Sequence, residues 1–237
     1  MARSKRDKTH FVCQECGSET PRWQGKCPAC GTWNSLVEEK IQATQSRDRL
    51  MRVKESSEPK PLAEIDHLHL PRRPTHSSEF NRVLGGGIVP GSVILVGGDP
   101  GIGKSTLLLQ ESGALSSGKE PVLYVTGEES AEQIKMRADR LKLNAETLLI
   151  MAETEIECIL KAIYKVTPYV VIIDSIQTMY SVSLDSAPGS VSQVRECTLR
   201  LIEEAKQNNI AVFLVGHVTK EGSWQAPKSS NTWWTHS

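Results

Sequence analysis

Three observations predict an α/β core, a mostly parallel sheet with helices on both faces, preceded by a small four-cysteine zinc domain. Short β-branched runs alternate with helical periodicity from about Phe80 onward, the pattern of repeated β-α units. The segment Gly98-Asp-Pro-Gly-Ile-Gly-Lys-Ser105 follows one of these runs directly and opens a helical stretch. Two Cys-x2-Cys pairs fall near the amino terminus, which in a reducing compartment favours metal over disulfide.

The first element is a block of cysteines, glycines and tryptophans over residues 9–36. Cys13, Cys16, Cys27 and Cys30 have the spacing in which each pair supplies two thiolates to one tetrahedral Zn²⁺. Four protein ligands leave no open coordination position, so the zinc is expected to be structural and to fold a segment too small to build its own core. A pair of redox dithiols is the other reading of these turns, and nothing thioredoxin-like surrounds them. Residues 37–75 are rich in Glu, Lys, Arg, Ser and Pro with little apolar periodicity and read as a linker. The core is expected over 76–222, with no internal repeats.

Within the core, strands are expected at 93–97, 122–126, 148–151, 170–174 and 211–216, each short, β-branched and bounded by polar residues or glycine. Helices should lie between them. Capping boxes at Ser130/Gln133, Thr154/Glu157 and Ser190/Gln193 announce three of their starts. Ile156, Ile159, Leu160 and Ile163 then recur at helical spacing as a core-facing stripe. Cys158 and Cys197 are expected to be ordinary buried thiols.

The chemistry should sit at the carboxyl edge of the sheet, where ligands gather in open α/β folds. Gly98, Asp99, Pro100, Gly101, Ile102, Gly103, Lys104 and Ser105 match the phosphate-binding P-loop, and Thr106 continues it. Its backbone amides and the following helix N-terminus suit the phosphates of ATP. Lys104 would reach the β- and γ-phosphates, and the Ser105 hydroxyl would serve Mg²⁺. Val170-Val-Ile-Ile-Asp174 ends an apolar strand in an acid, which makes Asp174 the expected second Mg²⁺ ligand and leaves its neighbour Ser175 a structural role. In Tyr124-Val-Thr-Gly-Glu-Glu-Ser130, Glu128 is preferred to Glu129 as the base that deprotonates attacking water, because it comes first after the strand. Two solvated carboxylates favouring a helix N-terminus remain the alternative for that pair.

Bulk properties narrow the partners. Lys plus Arg number 28 and Asp plus Glu 28, so no global field draws the chain to nucleic acid or membranes. No apolar run approaches the roughly 20 residues that span a bilayer, and the basic amino terminus lacks the apolar stretch of a secretory signal. A cytoplasmic protein without a membrane partner is expected.

These blocks in this order resemble the bacterial RadA (Sms) family of DNA repair proteins, relatives of the RecA recombinase. The resemblance runs from Cys13 to Gly222 and includes Trp23-Gln-Gly-Lys-Cys-Pro-Ala-Cys-Gly-Thr-Trp33, Arg82-Val-Leu-Gly-Gly-Gly-Ile-Val-Pro-Gly91, Pro188-Gly-Ser-Val-Ser-Gln-Val-Arg195 and Val215-Gly-His-Val-Thr-Lys220. It implies a RecA-like P-loop core and a DNA-dependent ATPase that forms hexameric rings. Such a ring would load on single-stranded or branched DNA and promote branch migration alongside RecA. It also implies that Glu128 is the catalytic glutamate, that 181–192 is a DNA-facing loop and that His217 to Lys220 sense nucleotide state. From the residues alone, 181–192 is a flexible Pro/Gly/Ser loop without a basic cluster. The strand at 211–216 is expected between the P-loop strand and the strand ending in Asp174.

The family pattern stops after Gly222, where the chain turns into a tail with Trp224, Trp233 and Trp234 among polar residues. A shifted reading frame of that tail can encode a sequence like the family's own continuation, so residues 223–237 are expected to be a frameshift product. A non-catalytic nucleotide- and zinc-binding module is therefore the alternative reading of the chain. Another RecA-like ATPase, a helicase or a clock-type kinase, is disfavoured by the cysteine pairs.

Overall fold

The computed structural model describes residues 9–40, 61, 64, 71–118, 120–143 and 145–217. The tail at 223–237 and the side chains from His217 to Lys220 lie outside the described residues. Two sheets organise the rest. The first is antiparallel, in the order β2-β1-β3, from β1 (Thr9–Cys13), β2 (Glu19–Thr20) and β3 (Leu36–Lys40). Because β3 pairs with β1 along its whole length to Lys40, ordered pairing runs past residue 36 into the segment expected as linker. At the other end of that segment, Arg73 exchanges both backbone hydrogen bonds with Ile88 and so joins the core.

The second sheet holds β4 (Val93–Gly98), β5 (Val122–Thr126), β6 (Leu148–Ala152), β7 (Val170–Asp174) and β8 (Ala211–His217), all parallel, in the order β4-β8-β7-β5-β6. The expected position of 211–216, between the P-loop strand and the strand ending in Asp174, is the one observed. Helices α1 (Ser78–Val83), α2 (Lys104–Leu115), α3 (Ala131–Arg140), α4 (Ile156–Val166) and α5 (Val191–Asn208) follow in turn.

Period-two alternation along the central strands divides the core into two layers. Leu123, Val125, Val171, Ile173, Val212 and Leu214 point to one face, where they meet Ile156, Ile159 and Ile163 of α4 and Cys197, Leu201 and Ala205 of α5. Val122, Tyr124, Val170, Ile172, Phe213 and Val215 point to the other, against Leu108 and Leu109 of α2 and Ile134 of α3. Strands buried on both faces read as continuous apolar runs, which is why their limits could be read from the sequence. Among the described residues β4 pairs only with β8 and forms one edge of the sheet.

One of the three expected helix starts moved, and one of the three expected boxes closed only halfway. Ser130 and Gln133 form the full capping box. Thr154 and Glu157 do not, because α4 begins at Ile156 with Glu155 as its uncapped N-cap. The amides of Thr154 and Glu155 donate instead to Glu153 Oε1 at 2.7 and 3.0 Å. Glu157 is drawn away to Arg200 of α5 and to the Ser181 hydroxyl, which donates to it at 2.6 Å. Although burial opposes ionisation, these two partners hold its carboxyl below the usual range. Ser190 caps α5 through the Gln193 amide, but the Gln193 side chain does not return to Ser190. It is buried and accepts from the Ser181 amide at 2.7 Å while donating to the carbonyls of Ser181, Leu184 and Ser186. One glutamine thus ties down the Pro/Gly/Ser loop expected to be flexible.

Cys197 is fully buried, and burial pushes its thiol up to about 12. Cys158 is only half-buried, 3.5 Å from Glu155 Oε1, and so departs from the buried thiol expected.

Candidate functional site

The P-loop residues turn sharply between β4 and α2. Gly101 and Gly103 have φ of +79° and +99°, and a Cβ at either would meet nothing within 4 Å. Conformation rather than space therefore demands glycine there. Gly103 is the N-cap of α2 and supplies no side-chain cap, so the first-turn amides of this helix keep their donors for a ligand in the loop. Lys104 is buried, and its Nζ donates to the carbonyls of Gly98 at 2.8 Å and Asp99 at 2.9 Å. The ammonium is held inside the curve of the loop by the loop's own backbone. Ile102 stands at the tip, 70% exposed, and Ser105 and Thr106 are half-buried in the first turn.

Asp174 lies at the carboxyl end of β7, almost fully buried. The Tyr124 hydroxyl, from β5, donates to Asp174 Oδ2 at 2.5 Å and lies 3.5 Å from the Ser105 carbonyl oxygen. Burial first, and then the Asp174 charge, raise the Tyr124 pKa, so the phenol keeps its proton and remains a donor. Tyr124 links the first turn of α2 to the acid at the end of β7. Sequence reasoning missed it, since a tyrosine in an apolar strand reads as packing.

Glu128 follows β5 after a single glycine. Ser175, next to Asp174 across a cis peptide bond, donates its hydroxyl to Glu128 Oε1 at 2.7 Å. Ser175 is fully buried and starts a short 3₁₀ turn, so it combines the structural role expected of it with a contact to the candidate base. Space explains Gly127, because a Cβ there would sit 2.1 Å from Thr178 Oγ1. Glu129 is engaged elsewhere, with both its carboxylate oxygens 2.5 Å from Arg137 Nη2 of α3. The structure thus brings Lys104, Asp174 and Glu128 to the carboxyl edge of one sheet, after β4, β7 and β5 with β8 between the first two, and turns Glu129 towards a helix.

In the amino-terminal sheet, Cys13, Cys16, Cys27 and Cys30 bring their sulfurs within 4.8 Å of one another. The Cys13–Cys30 and Cys16–Cys27 sulfurs are 3.6 Å apart, close to the edge of about 3.8 Å in a tetrahedron with Zn–S bonds of about 2.3 Å. Each pair sits in the same turn. The Cys13 and Cys27 carbonyls accept from Gly17 and Gly31 at 2.8 and 2.9 Å, and the Cys13 and Cys27 amides donate to Ser18 and Thr32. The Cys13 and Cys30 sulfurs lie 3.2 and 3.4 Å from the hydroxyl oxygens of Ser35 and Thr32, and the Ser35 hydroxyl donates in turn to the Thr32 carbonyl at 3.1 Å. Hydrogen bonds from Thr32 lower the Cys30 thiol to about 6, while burial raises Cys16 to about 12. Four soft sulfur donors at this spacing fit zinc, with no position left for a reacting group.

Comparison with known proteins agrees with both parts. Residues 11–38 match the model of the rubredoxin metal binding domain and residues 58–223 that of the AAA domain. DNA repair protein RadA of Bacillus subtilis (strain 168) is 52% identical over 224 residues, 93% of this chain and 49% of that protein. RadA of Listeria monocytogenes is 51% identical over 228 residues, 96% of this chain and 50% of that protein. RadA of Streptococcus pyogenes serotype M1 is 52% identical over 221 residues, 93% and 49% respectively. The chain therefore spans about half the length of these relatives. Among solved structures, the KaiC-like protein PH0186 of Pyrococcus horikoshii aligns with a TM-score of 0.55 at 23% identity, covering 67% of this chain and 76% of that one. That likeness speaks for the RecA-like fold alone. No helix among the described residues is long and apolar enough to cross a membrane.

Proposed function

The chain belongs to the AAA domain family, and from that premise we propose that it binds and hydrolyses ATP as a DNA-dependent motor of recombinational DNA repair. The carrying observation is the placement of Lys104, Asp174 and Glu128 at the carboxyl edge of one sheet, with Tyr124 joining Asp174 to the first turn of α2 and Ser175 holding Glu128. The name of the relatives supports the DNA repair part of this reading, and the motif resemblance to that family implies single-stranded or branched DNA as the effector, RecA as the partner, a hexameric ring as the assembly and the cytoplasm as the place of action.

In this reading the loop amides and Lys104 hold the β- and γ-phosphates, and Ser105 and Asp174 offer hard oxygen donors that suit Mg²⁺. The metal would neutralise charge on the terminal phosphates. Tyr124 holds the Asp174 carboxylate in place and lowers the cost of its ionised form in a buried setting. Glu128, oriented by Ser175, takes the proton from the attacking water. The non-catalytic module remains the second reading, favoured if the wild-type chain binds ATP without releasing phosphate.

Two substitutions divide the roles. Glu128→Gln keeps size and hydrogen bonding but removes the base, so steady-state phosphate release should fall about 10²–10⁴-fold with ATP affinity retained. A rate like that of the wild type would remove Glu128 from the chemistry. Tyr124→Phe leaves Asp174 without its donor, and a charged hydrogen bond of about 1.5 kcal/mol corresponds to roughly a tenfold rise in the Mg²⁺ needed for half-maximal ATP binding. An unchanged Mg²⁺ titration would show that Tyr124 only packs. In the wild type, phosphate release should rise on adding single-stranded DNA, and a rate indifferent to DNA would count against the motor reading.

A further inference from the structure

Two indoles stand side by side in solvent on the zinc-binding segment. Trp23 is 59% and Trp33 68% exposed. Both approach Gly25, where a Cβ would meet Trp33 at 3.6 Å and Trp23 at 3.8 Å. The backbone fixes this arrangement. Lys26 and Trp33 form an antiparallel bridge, the Asn34 amide donates to the Gly25 carbonyl at 2.8 Å, and the Cys27 amide donates to Thr32 at 2.9 Å. The turn that carries Cys27 and Cys30 therefore also sets the backbone of Gly25 and Trp33, so the part of the chain that presents the rings is ordered before binding. The Lys26 ammonium lies 5.7 Å from the centre of the Trp33 ring, and Arg22, beside Trp23, is exposed. From Thr20 to Val37 the chain carries Arg22 and Lys26 and no acidic residue. Of the four acids in the surrounding segment, Glu19 and Glu39 line a cavity of about 220 Å³ against α5 that neither tryptophan lines, and Glu15 and Glu38 are exposed outside the 20–37 stretch.

We propose that Trp23 and Trp33 form a stacking platform for the bases of single-stranded DNA, with Arg22 and Lys26 against the neighbouring phosphates. The proposal rests on the reading of the chain as a DNA repair ATPase and adds a site remote from the nucleotide. Flat aromatic faces flanked by cations accept any base, because every base has a π-face. A duplex hides those faces in its stack and offers only base edges in its grooves. Two cations beside the rings, with no acid between Thr20 and Val37, suit a polyanion and disfavour a second copy of the same basic stretch.

The test is anisotropy of a labelled oligothymidylate titrated with the zinc-loaded full chain at fixed salt. Trp23→Ala and Trp33→Ala should each weaken binding about 5- to 150-fold, and Trp33→Phe should recover most of the loss. Gly25→Val should weaken it as well by filling the space between the rings. Gly25 has no left-handed φ, so that substitution introduces bulk without backbone strain. Zinc content and ATP affinity should not change in any of these variants. Wild-type affinity in both alanine variants overturns the platform while leaving the ATPase reading intact. Loss of self-association or of protein capture in those variants, with oligothymidylate binding unchanged, overturns it too. A wild type that binds ATP but no oligothymidylate overturns the platform together with the DNA part of the proposed function.

Discussion

Replacing Lys104 by alanine is expected to weaken Mg-ATP binding by roughly 10- to 150-fold, the equivalent of about 1.5–3 kcal/mol for a charged hydrogen bond. The ammonium is already inside the loop, held by the Gly98 and Asp99 carbonyls at 2.8 and 2.9 Å. A phosphate entering the loop meets a positioned charge, so little is spent on ordering it, and the contact forms where solvent is scarce. The fold should tolerate the change. Lys104 is the first residue of α2, alanine is the best helix former, and the loop conformation depends on Gly101 and Gly103. Calorimetric titration at constant Mg²⁺ checks the affinity, and a thermal melt close to that of the wild type shows that the fold persists. An unchanged affinity would detach this loop from nucleotide binding.

Removing one zinc ligand should have the other large effect, confined to the amino-terminal sheet. In that sheet the fully packed apolar residues are Cys13, Cys27 and Leu36, supported by Phe11 and Cys16. Two of the three residues of that cluster are metal ligands, and Val12 is the one further buried apolar side chain of the described segment, so little apolar burial remains to offset the entropy of ordering it. Structural zinc contributes about 10–16 kcal/mol in comparable small sites. Cys27→Ser puts a hydroxyl where a thiolate bound and breaks the turn that also carries Cys30. One equivalent of metal should be lost by emission spectrometry, and amide protection should collapse over 9–40 while persisting over 71–217. The backbone hydrogen bond from the Val191 amide to the Gln14 carbonyl, between the two parts, is long at 3.5 Å, and a cavity lies beside it, so the parallel sheet should not follow the amino-terminal sheet. Full metal content in the variant would refute the four-cysteine site.

The chemistry-bearing motifs were legible because each is local. A P-loop needs its glycines and lysine at fixed offsets, a metal turn needs Cys-x2-Cys, and a doubly buried strand needs an unbroken apolar run. Positions 122–126 and 170–174 are strands over the expected limits, while β4, β6 and β8 each extend one residue further. What could not be read depends on partners far along the chain. Tyr124 acquires its role from Asp174, 50 residues away, and Ser175 from Glu128, 47 residues back. Glu157 and Gln193 look like capping residues by spacing, yet Ser181 and Arg200 take up the first and the 181–186 carbonyls the second. Local spacing states what a side chain could do, and burial decides which of its options is used. The preference for Glu128 over Glu129 rested on order after the strand. Geometry supplies an independent reason, since Arg137 holds both oxygens of Glu129.

The central claim is that Gly98–Ser105 and Asp174 together make one Mg-ATP site. Its most direct test is calorimetric titration of ATP into the zinc-loaded wild-type chain, run in Mg²⁺ and again in buffer freed of Mg²⁺ beforehand and containing no chelator, so that the cysteine-bound zinc is kept. One ATP per chain in Mg²⁺, with affinity falling sharply when Mg²⁺ is withheld and again in Lys104→Ala, is the predicted result. No saturable ATP binding, or binding indifferent to both Mg²⁺ and Lys104, would contradict it.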